Sequence, residues 1–112
     1  MKTFIIPLLI TILFPILLAH DFGKYKVEFS FDGYIVEERI SNITDLEKEL
    51  KQVSEEFGYK PDEIKLYTKN MVYVVEKDYE FKLDIYYKYA LVKTVLVNNY
   101  HSAFVYIFND IK

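Results

Sequence analysis

The residues best suited to metal chemistry are the two histidines, His20 and His101. If a peptidase cleaves after Ala19, His20 becomes the mature N-terminus, and its amino nitrogen and imidazole can chelate copper. His101 would then supply a third nitrogen, with Tyr100 or Phe104 nearby. The alternative is that His20 belongs to a frayed terminus and His101 to a turn. Two isolated histidines specify little, so we favour this alternative and predict no metal site, with copper binding as a secondary hypothesis.

Other groups that support catalysis are scarce. The chain has no cysteine, and its serines lie in no nucleophile motif (Ser30, Ser41, Ser54 and Ser102). Acid pairs such as Glu37-Glu38 fall where a solvated surface is expected, whereas general acid–base catalysis needs a carboxyl group in an apolar pocket. The three glycines are too far apart to form a phosphate-binding loop. We therefore predict a non-enzymatic protein with no catalytic residue and no cofactor.

Composition predicts one packed domain. The chain has 112 residues, of which 52% are hydrophobic, with 11 tyrosines and 9 phenylalanines. A chain of this length with so many aromatic rings can bury a core without disulfides. The net charge is −3 and the basic residues are scattered, so we predict no nucleic-acid partner.

The first 19 residues indicate export. Lys2 precedes an apolar run from Phe4 to Ala19, which is shorter than the roughly 20 residues of a bilayer span and typical of a signal peptide. Pro15 would break a helix shortly before the cleavage site after Ala19. We predict a signal peptide over residues 1–19 and a single domain over residues 20–112. The alternative is that residues 4–19 remain as a membrane anchor, the one case in which we expect membrane contact. Either way the domain lies outside the cytoplasm, secreted or anchored.

Alternating and helical patterns predict the elements of an α+β domain. Strands are predicted over 24–31 and 34–40 around an Asp32-Gly33 turn, then over 63–69, 71–77 and 79–89. One amphipathic helix is predicted before Gly58, with Thr44 as its cap. Asn70 is expected to adopt a positive φ in a tight turn. The apolar runs 90–97 and 102–108 are predicted to form a further hairpin.

This order of elements resembles the ubiquitin-like β-grasp fold over roughly residues 25–73. The shared features are the Thr44 cap, the apolar helix stripe, Gly58, the Pro61-Asp62 pair and the Lys65-Leu66-Tyr67 start of the third strand. The resemblance implies a mixed or antiparallel sheet with one helix packed across it, here with extra C-terminal strands. It also puts Tyr67 where the family has an aliphatic recognition residue. Ubiquitin conjugation is not implied, because the chain ends "YIFNDIK" without a Gly-Gly tail.

The abundance of tyrosines on predicted strands suggests a protein-interaction module. Tyrosines favour interfaces because each combines a rigid apolar ring with a polar tip. Tyr67, Tyr73 and Tyr86 are the candidate interface residues, unless a second layer buries them. An alternative is a self-assembling surface subunit, in which the apolar C-terminal strands pair between chains. Asn42, in "NIT", is either a glycosylation acceptor or part of the helix cap.

Overall fold

The computed structural model describes residues 24–112, which form one six-stranded sheet and two α-helices. In chain order the elements are β1 (Tyr25–Phe31), β2 (Tyr34–Ile40), a 3-10 turn (Ile43–Asp45), α1 (Leu46–Phe57), β3 (Glu63–Tyr67), β4 (Met71–Lys77), β5 (Phe81–Tyr87), β6 (Ala90–Val97) and α2 (Tyr100–Ile111). The fold is therefore α+β, as predicted, with one helix more than expected.

The sheet is open and antiparallel throughout. Its strand order is β2-β1-β3-β4-β5-β6, so β2 and β6 form the two edges. Alternation along each strand sends one set of side chains toward the helices and the other set away from them. The predicted Asp32-Gly33 turn is confirmed, and both residues have positive φ (51° and 90°), which a tight hairpin between twisted strands requires.

Helix α1 packs on the sheet through the predicted apolar stripe. Leu46, Leu50 and Val53 are buried, and Gly58 ends the helix with a φ of 81°. The predicted Thr44 cap is wrong, because residues 43–45 form a 3-10 turn and the α-helix begins only at Leu46. The Asn42 side chain caps that turn instead, accepting a hydrogen bond from the Thr44 N–H at 3.3 Å.

The second helix, α2, corrects the prediction that residues 102–108 form a strand. Asn99 caps this helix, since its side-chain oxygen accepts a hydrogen bond from the Ser102 N–H at 2.8 Å. The buried positions recur with helical spacing, at Tyr100, Ala103, Phe104 and Ile107. A nearly continuous apolar run hides this spacing, so the run alone does not distinguish a buried helix from a buried strand.

Both helices cover the same face of the sheet. The core there combines strand residues with residues of α1 and α2 (Val27, Phe29, Phe31, Ile64, Leu66, Tyr73, Val75, Leu83, Ile85, Leu46, Leu50, Val53, Tyr100, Ala103, Phe104, Ile107). The Tyr100 hydroxyl donates to the Pro61 carbonyl at 2.5 Å, which ties the start of α2 to the loop after α1. Burial raises the pKa of Tyr100, so this donor stays protonated. The opposite face, which no helix covers, is called the open face below.

The predicted export segment lies outside the described residues. Within residues 24–112, no helix combines the length and apolar character needed to cross a bilayer.

Candidate functional site

The strand registers align four apolar or aromatic side chains in one row across the open face. Tyr67 lies opposite Val72, Val72 opposite Tyr86, and Tyr86 opposite Leu91. We call Tyr67, Val72 and Tyr86 the aromatic row; Leu91 continues it onto the edge strand. Neighbouring strands are about 4.8 Å apart, so the two tyrosines lie roughly 10 Å from each other on one surface. The fold thus brings together two of the three tyrosines that the sequence suggested.

A groove of about 750 Å³ follows this row. Its walls include Val74 beside the row, and the β3–β4 and β5–β6 turns close one end. Val72, Val74 and Tyr86 are only partly exposed, which leaves room for a ligand to bury more of their surface.

Tyr67 is held in position by charged neighbours. Its hydroxyl donates to Glu28 Oε1 at 3.0 Å, and the Lys26 Nζ lies 4.6 Å from the centre of its ring. Lys26 also pairs with the second carboxylate oxygen of Glu28 at 3.4 Å. Burial, followed by the hydrogen bond to Glu28, raises the pKa of Tyr67 to about 12. Tyr67 therefore remains a neutral donor, and its ring forms a fixed wall of the groove.

The β5–β6 turn is the most unusual part of this surface. Lys88 and Tyr89 are its central residues, with φ values of 47° and 74°, although neither is a residue that favours left-handed backbone. Tyr89 is fully exposed, so no packing of its side chain compensates for the unfavourable backbone conformation. The Lys88 N–H donates to the Asn70 carbonyl at 3.2 Å, which holds the β5–β6 turn beside the β3–β4 turn. Asn70 itself has no positive φ, contrary to the sequence prediction.

Charge is distributed unevenly along the open face. Arg39 and Lys26 continue the aromatic row onto β2 and β1, and Lys69 and Lys88 stand at the turns beside it. The opposite end of the groove carries Glu63 and Glu76. Burial raises the pKa of Glu63, with a further contribution from the nearby Glu76. The end that carries the aromatic rings is therefore the cationic end.

Asp84 is the one buried charged residue among those described, and its contacts are structural. The Thr94 hydroxyl donates to Asp84 Oδ1 at 2.7 Å, and the Lys82 Nζ lies 3.7 Å from Oδ2. Asp84, with Glu76, raises the pKa of Lys82, which keeps this lysine charged. The carboxylate is thus shared between a hydroxyl and an ammonium group.

Tyr73 belongs to the core and not to the open face. It is 2% exposed, and its hydroxyl donates to Asp110 Oδ2 at 2.6 Å. Burial and this hydrogen bond raise its pKa. Helix α2 therefore forms the second layer that the sequence analysis named as the alternative, and Tyr73 is not part of the candidate interface.

The remaining candidates lie apart from the row. His101 Nδ1 is 2.8 Å from Glu47 Oε2, which links α2 to α1, while His20 lies outside the described residues. No group of three or more possible metal-ligating residues occurs within residues 24–112. The Asn42 side chain is exposed and engaged in its cap, so both interpretations of that residue stay open.

The sequence analysis did not identify Lys88, Tyr89 and Leu91 as parts of the candidate site. The segment 79–89 was predicted to be one continuous strand, because Lys-Tyr contains none of the residues that mark a tight turn. Leu91 was assigned to a buried hairpin, whereas it is 53% exposed. The only available indication was the change in pattern after Tyr86, where strict alternation ends.

No protein-family model matches this chain, and neither curated proteins nor solved structures give a match.

Proposed function

We propose that this protein is an exported, non-enzymatic interaction module that binds another protein through the aromatic row and the adjoining β5–β6 turn. The observation that carries the proposal is Tyr89, a fully exposed aromatic residue in left-handed backbone on the turn beside the uncovered aromatic row. Left-handed backbone costs an ordinary residue roughly 1–2 kcal/mol. A turn that retains Tyr at that cost, without packing it, is better explained by contact with a partner.

The surface has the composition of a protein-binding site. Tyrosine rings supply large rigid contact areas and lose little conformational entropy on binding. The fixed position of Tyr67, set by Glu28 and Lys26, further reduces the ordering that binding requires. Partly exposed aliphatic residues between the rings provide the apolar centre of the contact.

The charges favour a partner segment that combines acidic and apolar side chains. Lys69 and Lys88 make no ion pair with any residue of the described region, and both border the aromatic row. An acidic residue beside an apolar anchor would meet these ammonium groups while the anchor fills the groove. Such charge complementarity accelerates association and orients the bound segment.

A displayed library of short random peptides tests this proposal. Peptides enriched on the wild-type chain should contain acidic and aromatic or aliphatic residues, and Tyr86→Ser should weaken their binding by at least about tenfold, as expected for a central interface tyrosine. The matched control is Tyr79→Ser, since Tyr79 is also fully exposed but lies on the β4–β5 turn. Equal losses for the two variants, or no enrichment above background, would reject the proposed site.

A second control separates contact from folding. Tyr73→Ser removes a buried ring and should cost about 3–5 kcal/mol, a large part of the free energy of unfolding of a small domain. Tyr86→Ser should leave the circular dichroism spectrum and the unfolding midpoint almost unchanged. If Tyr86→Ser destabilises the chain as Tyr73→Ser does, loss of binding by Tyr86→Ser would say nothing about an interface.

Export and the β-grasp resemblance remain parts of the same proposal. We propose cleavage after Ala19, which N-terminal sequencing of the exported chain tests directly; a start at any residue other than His20 also removes the copper hypothesis. The β-grasp resemblance is proposed only for roughly residues 25–73, which span the first hairpin, α1, β3 and the start of β4, because the rest of the chain extends beyond it.

A further inference from the structure

We propose that two copies of this chain associate through β6, pairing antiparallel about a two-fold axis to form one continuous twelve-stranded sheet. This inference goes beyond the proposed function because it uses the edge of the sheet, whereas peptide binding uses the aromatic row. The two proposals therefore succeed or fail separately.

The edge strand β6 has little of the protection that normally prevents strand pairing. Natural edges are protected by charged residues, prolines, β-bulges or short length. β6 runs from Ala90 to Val97, contains no proline and has Lys93 as its one charged residue, and its one irregularity is a bulge at Val92, near the start of the strand. Leu91, Val92 and Leu96 are 53–64% exposed. A strand of this kind presents unpaired backbone groups and apolar side chains together.

The one charge on β6 points away from the exposed apolar residues. Lys93 Nζ lies 5.3 Å from the centre of the Tyr106 ring on the helical face of the sheet. Thr94 lies on the open face, where it bonds to Asp84, and Leu96 lies opposite Lys82 on that same face. The open-face side of β6 is thus free of charge.

Symmetry and these side-chain directions select a register. In an antiparallel pair, directly opposed residues point to the same face. Centring the two-fold axis on Thr94 places Val92 of each copy opposite Leu96 of the other. It also places Lys93 opposite Val95, so the two ammonium groups avoid each other. Opposed threonines and opposed apolar residues are both favourable cross-strand pairs.

Neighbouring registers are less favourable. Centring on Lys93 sets two ammonium groups directly against each other, and like charges in opposed positions destabilise a sheet. Centring on Val95 moves Val92 beyond the end of the partner strand, and each copy then loses an apolar pair. A second copy of this chain therefore fits the β6 edge in one register.

The other edge explains why assembly should stop at two. β2 carries Glu37, Glu38 and Arg39, and Glu38 already lies near Glu49 of α1. Pairing two β2 strands would bring further carboxylates into this region. Edge pairing buries less area than the roughly 1,600 Å² of a standard interface, and small interfaces are typical of weak complexes. We therefore expect a dissociation constant in the micromolar range.

Cysteine crosslinking tests the register in a chain that contains no native cysteine. Under mild oxidation, Thr94→Cys should form a covalent dimer, because opposed residues have the Cα spacing that a disulfide requires. A mixture of Val92→Cys and Leu96→Cys chains should crosslink far more than either variant alone. The mixture keeps the test valid if Thr94→Cys perturbs the fold. Equal crosslinking of the mixture and the single variants, or of Thr94→Cys and an Ile35→Cys control on β2, would overturn the proposal.

Sedimentation velocity on the exported chain tests the association itself. The wild type should pass from monomer to dimer over a micromolar concentration series, and Leu96→Lys should shift this transition at least tenfold higher. Ile35→Lys is the matched control, since Ile35 is 57% exposed on β2 and Leu96 is 64% exposed on β6. A monomer at all concentrations, an open-ended polymer, or an equal effect of both variants would contradict the β6 dimer.

Discussion

The two edge hairpins of the sheet use the same backbone geometry with opposite side-chain chemistry. The β1–β2 turn places Asp32 and Gly33 at φ values of 51° and 90°, and the β5–β6 turn places Lys88 and Tyr89 at 47° and 74°. Asp-Gly is among the residue pairs that adopt this conformation most readily, whereas Lys-Tyr is not. One hairpin therefore has a sequence suited to its fold, and the other retains side chains that its fold disfavours.

The strands of these hairpins differ in the same way. The outer strand β2 carries three consecutive charged residues, with an exposed Glu37–Arg39 pair at 3.8 Å, whereas β6 exposes aliphatic residues and carries a single lysine. Charged edges resist pairing with other strands, and apolar edges favour it. The β5–β6 hairpin thus combines a turn with unfavourable backbone and an edge strand with little charge. We expect contacts with other chains there.

The largest effect should come from giving the first turn the residues of the second. Asp32→Lys with Gly33→Tyr places an ordinary residue at φ 90°, and we expect a loss of about 2 kcal/mol in the free energy of unfolding. A side chain added at Gly33 would meet no atom within 4 Å, so the loss would come from backbone strain and not from a clash. Urea unfolding measures it. A loss below about 0.5 kcal/mol would mean that Lys-Tyr is tolerated in such turns, and Tyr89 would then carry no functional implication.

The reciprocal exchange should stabilise the chain and abolish binding. Lys88→Asn with Tyr89→Gly relieves two strained residues, and we expect a gain of about 1 kcal/mol after the extra entropy of glycine in the unfolded chain is included. Peptides selected on the wild type should bind this variant at least tenfold more weakly. Lys88→Asn alone separates the two contributions: it keeps Tyr89 and removes only the ammonium group, so it should weaken binding less than the double variant does. Stabilisation with unchanged affinity would exclude the turn from the interface.

The parts of the fold that were predicted correctly are those with a strong local pattern. The alternation of Tyr25, Val27 and Phe29, together with Asp32-Gly33, specifies the first hairpin without reference to the rest of the chain. Helix α2 was predicted to be a strand because its apolar residues extend beyond a single stripe. Its helical conformation depends on the Asn99 cap and on packing against β4 and β6, which is a tertiary effect.

The candidate site was predictable only in part, for a related reason. Tyr67 and Tyr86 follow from strand alternation, but their alignment in one row depends on the register of β3, β4 and β5. Tyr73 points to the opposite face in that same register. Residue type identifies tyrosine as an interface candidate, whereas the pairing of strands decides which tyrosines remain uncovered.

A smaller effect should distinguish the acids at the centre of each hairpin. Asp84 of β5 is 8% exposed and accepts from Thr94 of the edge strand, while Glu28 of β1 accepts from Tyr67. Replacing a buried carboxylate by an amide weakens its hydrogen bonds and leaves an N–H group to satisfy, so Asp84→Asn should cost about 1 kcal/mol. Glu28→Gln should cost about half as much, because its side chain is more exposed. A double-mutant cycle with Thr94→Val isolates the Asp84 bond, and equal costs for the two acids would contradict the difference in burial.

The smallest effect concerns Glu38, where the charged edge strand meets α1. Burial raises the pKa of Glu38, and the charges of Glu49 and Glu56 raise it further. A carboxyl group whose pKa is higher in the folded state opposes folding when ionised, and this penalty disappears as the pH falls through its pKa. Glu38→Gln should therefore stabilise the chain by about 0.3 kcal/mol at neutral pH, as is usual for exposed charge interactions, and by less in acid. Thermal unfolding of the wild type and of Glu38→Gln, at neutral and at acidic pH, measures this difference in stabilisation. Glu37→Gln, which removes only the exposed pair with Arg39, should produce no stabilisation at neutral pH; a gain equal to that of Glu38→Gln would assign the effect to net charge rather than to the contact with α1.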